Sequence, residues 1–170
     1  MQKIMFNDKY GLTKAVLEGR KTMTRRLVPE KLVKAIEGGV PGYAVMESKY
    51  KVGEVVAVAQ PYKDVIYTGG YPHPLVAKPG WSNKMFVRAA LMRHQIHITN
   101  VRVEKLQDIS DEECMNEGIM QSFDAYYYQG FTQHFDSARA AFAALIDKVS
   151  GKGTWESNPW VFVYEFELVI

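Results

Sequence analysis

The sequence lacks the cysteines for an intramolecular disulfide, the His/Cys spacing of a structural zinc site and the apolar run of a membrane-spanning helix. Cys114 is its only cysteine, so no intramolecular bridge can form. The histidines do not make up for this. His94 and His97 are three apart, and strand parity sends them to opposite faces, while His73 lies between Pro72 and Pro74. No metal site is expected from such spacing. No apolar run approaches the ~18 residues of a membrane span, and the N-terminal residues lack the apolar region of a signal peptide. The expectation is a protein of the reducing cytoplasm, with no membrane partner. The chain also lacks a Gly-rich turn after its first strand, which excludes a βαβ dinucleotide-binding unit. No cofactor is expected. Internal repeats and low-complexity tracts are absent.

What is present is ordinary in bulk and uneven in detail. A chain of 170 residues, 47% hydrophobic and 24% charged, is read as one soluble domain spanning 1–170. Its formal charge is only +2. Residues 1–34, however, carry nine Lys/Arg against three Asp/Glu, a local +6, and residues 35–170 carry twelve against sixteen, a local −4. That segregation points to an anion-facing N-terminal region on a mildly acidic body. Solvated helix faces produce the same bias. The density is greatest in Gly19-Arg20-Lys21-Thr22-Met23-Thr24-Arg25-Arg26.

The hydrophobic pattern predicts short strands with helices between them. A strand is expected over 3–6. A helix follows, capped by Asn7, carrying Leu12, Ala15 and Val16 and ended by Gly19. Residues 22–28 read as extended. Pro29 suits the first turn of a helix that stops at Gly38-Gly39. Residues 54–59 form the firmest central strand. The stretch 61–93 is a long insertion; 61–81 shows no regular pattern, and connections of that kind tend to be functional or mobile. Residues 96–106 alternate well, with a phase slip near Thr99-Asn100 that predicts a bulge. Ser110-Asp111-Glu112-Glu113 opens a helix as a capping box and Gly118 closes it. Tyr126 to Phe131 reads as an aromatic loop, 135–149 as the best amphipathic helix, and 160–169 as a closing strand. Strands at the start, middle and end with helices at the margins predict an α+β fold, a small mixed β-barrel with flanking helices.

The 19–26 segment resembles the signature of ASCH domains, a branch of the PUA-like superfamily, in the phage and bacterial form Gly-Arg-Lys-Thr-x-Thr-Arg-Arg. Three further stretches are similar to that branch and follow in the same order: residues 51–58 (Lys-Val-Gly-Glu-Val-Val-Ala-Val), 98–109 (Ile-Thr-Asn-Val-Arg-Val-Glu-Lys-Leu-Gln-Asp-Ile) and 151–161 (Gly-Lys-Gly-Thr-Trp-Glu-Ser-Asn-Pro-Trp-Val). The resemblance implies a PUA-like barrel with a cleft lined by the lysine-arginine motif, and binding of RNA or a nucleoside-like ligand. Some small members remove the acetyl group of acetylated cytidine with a Lys, a Thr and a Glu. Lys21 and Thr24 match the first two. Where the family's glutamate would come from the strand near 96–99, this chain has His97, and a second acidic position of the branch is Gln60.

Three roles are open to Lys21. An exposed lysine titrates near ~10.4, so work as a base or nucleophile needs burial or cationic neighbours. A lysine kept neutral can take the proton of Thr24 or water during attack on an amide, with a neighbouring arginine stabilising the oxyanion. A charged one contacts phosphate, and a solvated one does neither. Residues 21 and 24 face opposite sides of a regular strand, so convergence predicts irregular backbone at 20–23. Arg25 and Arg26 offer planar forks suited to phosphate, or to salt bridges with the acidic body; Arg20 is a further candidate ligand contact. Lys84, Arg88 and Arg93, interleaved with Trp81, form a second candidate nucleic-acid surface; Trp81 is equally a core plug beneath the long loop. Three functions follow: an RNA- or modified-nucleoside-binding domain, an amidohydrolase using Lys21, Thr24 and His97, or a non-catalytic phage or host accessory module that binds protein.

Overall fold

A computed structural model describes residues 1–169. In chain order its regular elements are β1 (Lys3–Ile4), α1 (Leu12–Leu17), β2 (Met23–Leu27), α2 (Glu30–Glu37), α3 (Pro41–Met46), β3 (Val55–Val58), α4 (Tyr62–Val65), β4 (Gln95–Lys105), α5 (Asp111–Asn116), β5 (Met120–Ser122), β6 (Ala125–Tyr127), α6 (Ala138–Ser150), α7 (Thr154–Ser157) and β7 (Trp160–Val169). Five strands form one sheet in the order β1-β3-β4-β7-β2, and β5-β6 is a separate hairpin. β1 pairs with β3 in parallel; the other ladders are antiparallel. The fold is therefore mixed α+β. Among the described residues no ladder joins β1 to β2, so the sheet stays open rather than closing into the expected barrel.

The long strands follow from their patterns. β4 and β7 pair along most of their length, and their register slips between Ile98 and Asn100, leaving Thr99 as the extra residue of a bulge, at the predicted phase slip. β7 lies between β4 and β2 and is buried on both faces from Val161 to Tyr164, as a central strand covered on both sides must be. The helix at 135–149 begins slightly later than expected: Ser137 caps it by accepting from the Ala140 amide at 3.0 Å. Its residues Phe142, Leu145 and Ile146 enter the main core with Ile4, Ile96, Ile98 and Tyr164.

Two expectations are corrected locally. Asn7 does not cap α1. It ends a turn whose carbonyl accepts from Leu12 N at 3.0 Å, and Gly11, at φ +67°, stands at the helix start. The 61–93 segment is also less irregular than its composition suggests. It contains α4 and four short 3-10 turns, and it closes over a small apolar cluster of its own: Ala57, Ala59, Tyr62, Val65, Val87 and Met92. The hairpin β5-β6 and helix α3 have no counterpart in the pattern-based reading.

Candidate active site

Gly19 sets up the site by ending α1. It sits at φ +74°, a conformation that side chains disfavour. Its amide reaches Val16 O at 3.0 Å and the Arg20 amide reaches Ala15 O at 2.9 Å, the paired bonds of a Schellman motif. The chain then runs irregularly through Arg20, Lys21 and Thr22 before β2 begins at Met23. This is the break in strand parity that convergence of Lys21 and Thr24 requires. Lys21 turns inward and is 3% exposed; Thr24 is 5% exposed.

The Lys21 ammonium is held by three oxygens. It donates to Met23 O at 2.7 Å, Glu117 O at 2.9 Å and Glu117 Oε2 at 2.6 Å. Burial pulls its pKa below the ordinary lysine value, while the Glu117 carboxylate pulls the other way and Arg26 and Arg25 add to the lowering. The other oxygen of Glu117 accepts from Arg25 Nη1 at 3.1 Å. One buried carboxylate thus joins two buried cations. Gly118 makes room for this arrangement. Its φ is +111°, and a Cβ there would stand 3.2 Å from Leu12 Cδ2 and 3.8 Å from Lys21 Cδ.

Arg25 is not available to phosphate; of its two expected roles it takes the salt-bridging one. Its Nη2 donates to Glu104 Oε1 at 2.7 Å and Glu113 Oε2 at 3.0 Å. Those carboxylates also meet Arg102, at 3.3 Å and 2.6 Å, and Arg102 pairs with Glu165 as well. Three cations and four carboxylates therefore form one network, of which Lys21, Arg25 and Glu117 line a cavity. Glu113 completes the capping box with Ser110 and so ties α5 to the network. Cys114 packs beside it, fully buried, and burial pushes its thiol up to about 12, which makes it inert as a nucleophile at neutral pH.

Lys21, Thr24, Arg26 and Glu117 line a cavity of about 180 Å³, whose apolar wall includes Phe6, Leu12, Phe142 and Leu145. Phe6 is buried, and its ring lies near two of the cations that line the cavity. The Lys21 ammonium lies 5.8 Å and the Arg26 guanidinium 5.6 Å from the Phe6 ring centroid. Arg26 is exposed and donates to Met5 O at 2.7 Å. The volume is below the ~300–1,000 Å³ of drug-sized sites, so the cavity suits a single small ring or acyl group.

The remaining candidates stand elsewhere. His97 does not line the cavity. Its neighbours Ile96 and Ile98 point into the core, so strand parity turns His97 to the other face, where its Nδ1 lies 3.1 Å from Glu167 Oε1. Gln60 is outside the cavity too. Arg20 is exposed and pairs with Glu18 at 2.9 Å. Lys84 is tied to Asp8 at 2.8 Å and to Thr13 at 3.1 Å. Trp81 packs, half-buried, against the small cluster of the 61–93 segment, so it serves as the core plug. Arg88 and Arg93 are exposed on that segment.

Glu117 is the residue that sequence reasoning missed, although a signal was present. It lies at the C-terminal end of α5, where the helix dipole disfavours an acid, and a glycine follows it directly. An acid in that position calls for a cation from elsewhere in the fold. Comparisons of the chain with family models, with curated proteins and with solved structures return no match. Among the described residues no group of three or more His, Cys, Asp or Glu is placed to hold a metal ion, and no helix is long and apolar enough to cross a membrane.

Proposed function

We propose that the protein is an amidohydrolase that removes an acyl group from the exocyclic nitrogen of a small heterocycle of the acetylated-cytidine type. The observation that carries this reading is the buried Lys21–Glu117 pair, at 2.6 Å, in one small cavity with Thr24. The ordered ASCH-like motifs support the same assignment, and with it a PUA-like relationship for the open sheet. In this reading Glu117 supplies, from α5, the acid that the resemblance sought near residue 97.

The chemistry follows from the environment. Burial favours the neutral amine of Lys21. That amine takes a proton from water as the water adds to the amide carbon; where the Thr24 hydroxyl adds instead, the amino base leaves first, and water then hydrolyses the Thr24 ester with Lys21 again taking its proton. Glu117 fixes the amine and stabilises the ammonium that forms. Arg26, at the mouth, is the cation placed to meet the developing oxyanion. The proton then passes from Lys21 to the leaving nitrogen, and the products are a carboxylic acid and the free amino base. RNA binding, the broader expectation, is weakened by the engagement of Arg25 and Lys84 with carboxylates. A protein-binding module is weakened by the open cavity.

Incubation with N4-acetylcytidine tests the proposal. The wild-type protein should release cytidine, and Lys21→Ala should lower kcat/KM at least about 100-fold, the usual scale of a lost general base. The wild-type rate should rise with pH through an apparent pKa below the ordinary ~10.4 of lysine. Equal rates in a folded Lys21→Ala variant would end the assignment.

A further inference from the structure

The Lys21 cavity does not end at Arg26. A second cavity, of about 370 Å³, shares both Arg26 and Leu27 with it. Arg26, Lys31 and Lys49 line this second space, and Glu47 is its only carboxylate. Among the described residues none of the three cations is within ion-pair distance of a carboxylate. This sets the pocket apart from the network behind Lys21, where every cation is matched. Its floor is aromatic: Tyr50, Phe162 and Tyr164, with Tyr50 and Tyr164 edge to face at 5.3 Å. The Tyr50 hydroxyl donates to Lys3 O at 3.0 Å, so the ring is fixed. Lys49 Nζ lies 5.2 Å from the Tyr50 ring centroid.

Unmatched cations on a rigid apolar floor form a site for an anion that carries some carbon surface. Leu27, half exposed between the two cavities, offers that surface a ridge. Resting on the amidohydrolase reading, we infer that the substrate is phosphorylated: an acylated nucleotide whose base enters the Lys21 cavity, whose sugar crosses Leu27, and whose phosphate is held by Lys31 and Lys49. Lys31 comes from the first turn of α2 and Lys49 from the segment after α3, so the two helices after β2 gain a purpose that the hydrolytic centre does not give them.

Calorimetric titration at low salt with cytidine, cytidine 5′-monophosphate and inorganic phosphate tests the inference. The monophosphate should bind at least about tenfold more tightly than cytidine and more tightly than phosphate. The advantage should shrink as salt screens the exposed cations, and it should disappear in a Lys31→Ala/Lys49→Ala variant while persisting in Arg88→Ala. Equal affinities for cytidine and its monophosphate, in a protein that hydrolyses acetylcytidine, would overturn the phosphate subsite alone. So would phosphate binding as tightly as the nucleotide. A monophosphate preference with no hydrolysis would overturn the amidohydrolase reading and leave the subsite standing. Binding of neither nucleoside nor nucleotide would overturn both.

Discussion

Lys21 and Arg25 lie inside the protein against Glu117, whereas Arg88 and Arg93 stand in solvent on the 61–93 segment with no carboxylate partner among the described residues. Both regions read in one dimension as candidate anion-binding surfaces, the first a lysine-arginine-hydroxyl cluster, the second cations interleaved with aromatic residues. The difference lies in how each uses its rings. In the first, the buried Phe6 ring lines the cavity within reach of both Lys21 and Arg26. In the second, Trp81 and Tyr62 are spent on packing, and the arginines next to them have nothing to shape. A buried ion costs several kcal/mol in lost hydration unless a counter-charge is present. A centre with three cations and four carboxylates is therefore held in one arrangement, and exposed arginines are not.

The largest effect that would break this comparison is expected from Glu117→Ala. It leaves the Lys21 ammonium without its carboxylate and removes one of the three acids on Arg25. Stripping one partner from a buried pair typically costs about 3–5 kcal/mol, read here as a lower midpoint in urea-induced unfolding. Hydrolysis of N4-acetylcytidine should fall with it, and Glu117→Gln should lose activity with a smaller loss of stability. A loss of stability below about 1 kcal/mol for the alanine variant would show that the network does not anchor the fold.

The uneven legibility of the chain follows the same division. Local rules located the Gly19 terminator, the Ser110 capping box and the bulge after Ile98, because each depends on a few adjacent residues. The irregular backbone after Gly19 is readable too, since strand parity forbids Lys21 and Thr24 to meet otherwise, though it ends at Thr22 and not at 23, because Met23 already pairs with Glu165. Glu117 is not readable. It is 96 residues from Lys21, and only the docking of α5 against the turn after α1 brings the two together. His97 was misplaced because the resemblance suggested its position while the parity of Ile96 and Ile98 assigns it to the other face. The barrel was expected from strand number and order, but closure depends on the edges: β1 has only two residues and finds no ladder with β2. The small cluster under 61–93 escaped notice because 3-10 turns leave no long period to detect.

The second prediction sharpens the contrast from the side of the 61–93 segment. Gly80 is buried there, and a Cβ would stand 2.6 Å from Tyr62 Cε2 and 3.0 Å from Phe86 O. Tyr62 cannot swing away freely, because its hydroxyl accepts from the Arg88 amide at 2.7 Å and its ring is buried. Gly80→Ala should therefore overpack the small cluster at a cost of about 1–3 kcal/mol. Limited proteolysis should show faster cleavage within 61–93, while hydrolysis at Lys21 keeps its wild-type rate. A parallel loss of activity would mean that the two regions are coupled and that the comparison treats them as separate wrongly.

The smallest effect is expected where sequence reading placed a nucleic-acid surface. The side chains of Arg88 and Arg93 are exposed, and neither lines the Lys21 cavity nor the pocket beside it. Surface substitutions away from packed or paired features usually shift stability by no more than ~0.5 kcal/mol. The Arg88→Ala/Arg93→Ala variant should therefore unfold at the wild-type denaturant midpoint. It should also bind cytidine 5′-monophosphate with unchanged affinity, because neither side chain lines either cavity and salt screens exposed charges. The result with a single-stranded RNA oligonucleotide is the more telling one. If that binding is weak and the variant leaves it unchanged, interleaved arginines and aromatics are not enough to make a nucleic-acid surface when the rings are committed to packing. If the variant abolishes tight, salt-dependent binding, the 61–93 segment is a recognition surface in its own right, and Trp81 and its neighbours pack in order to present the arginines.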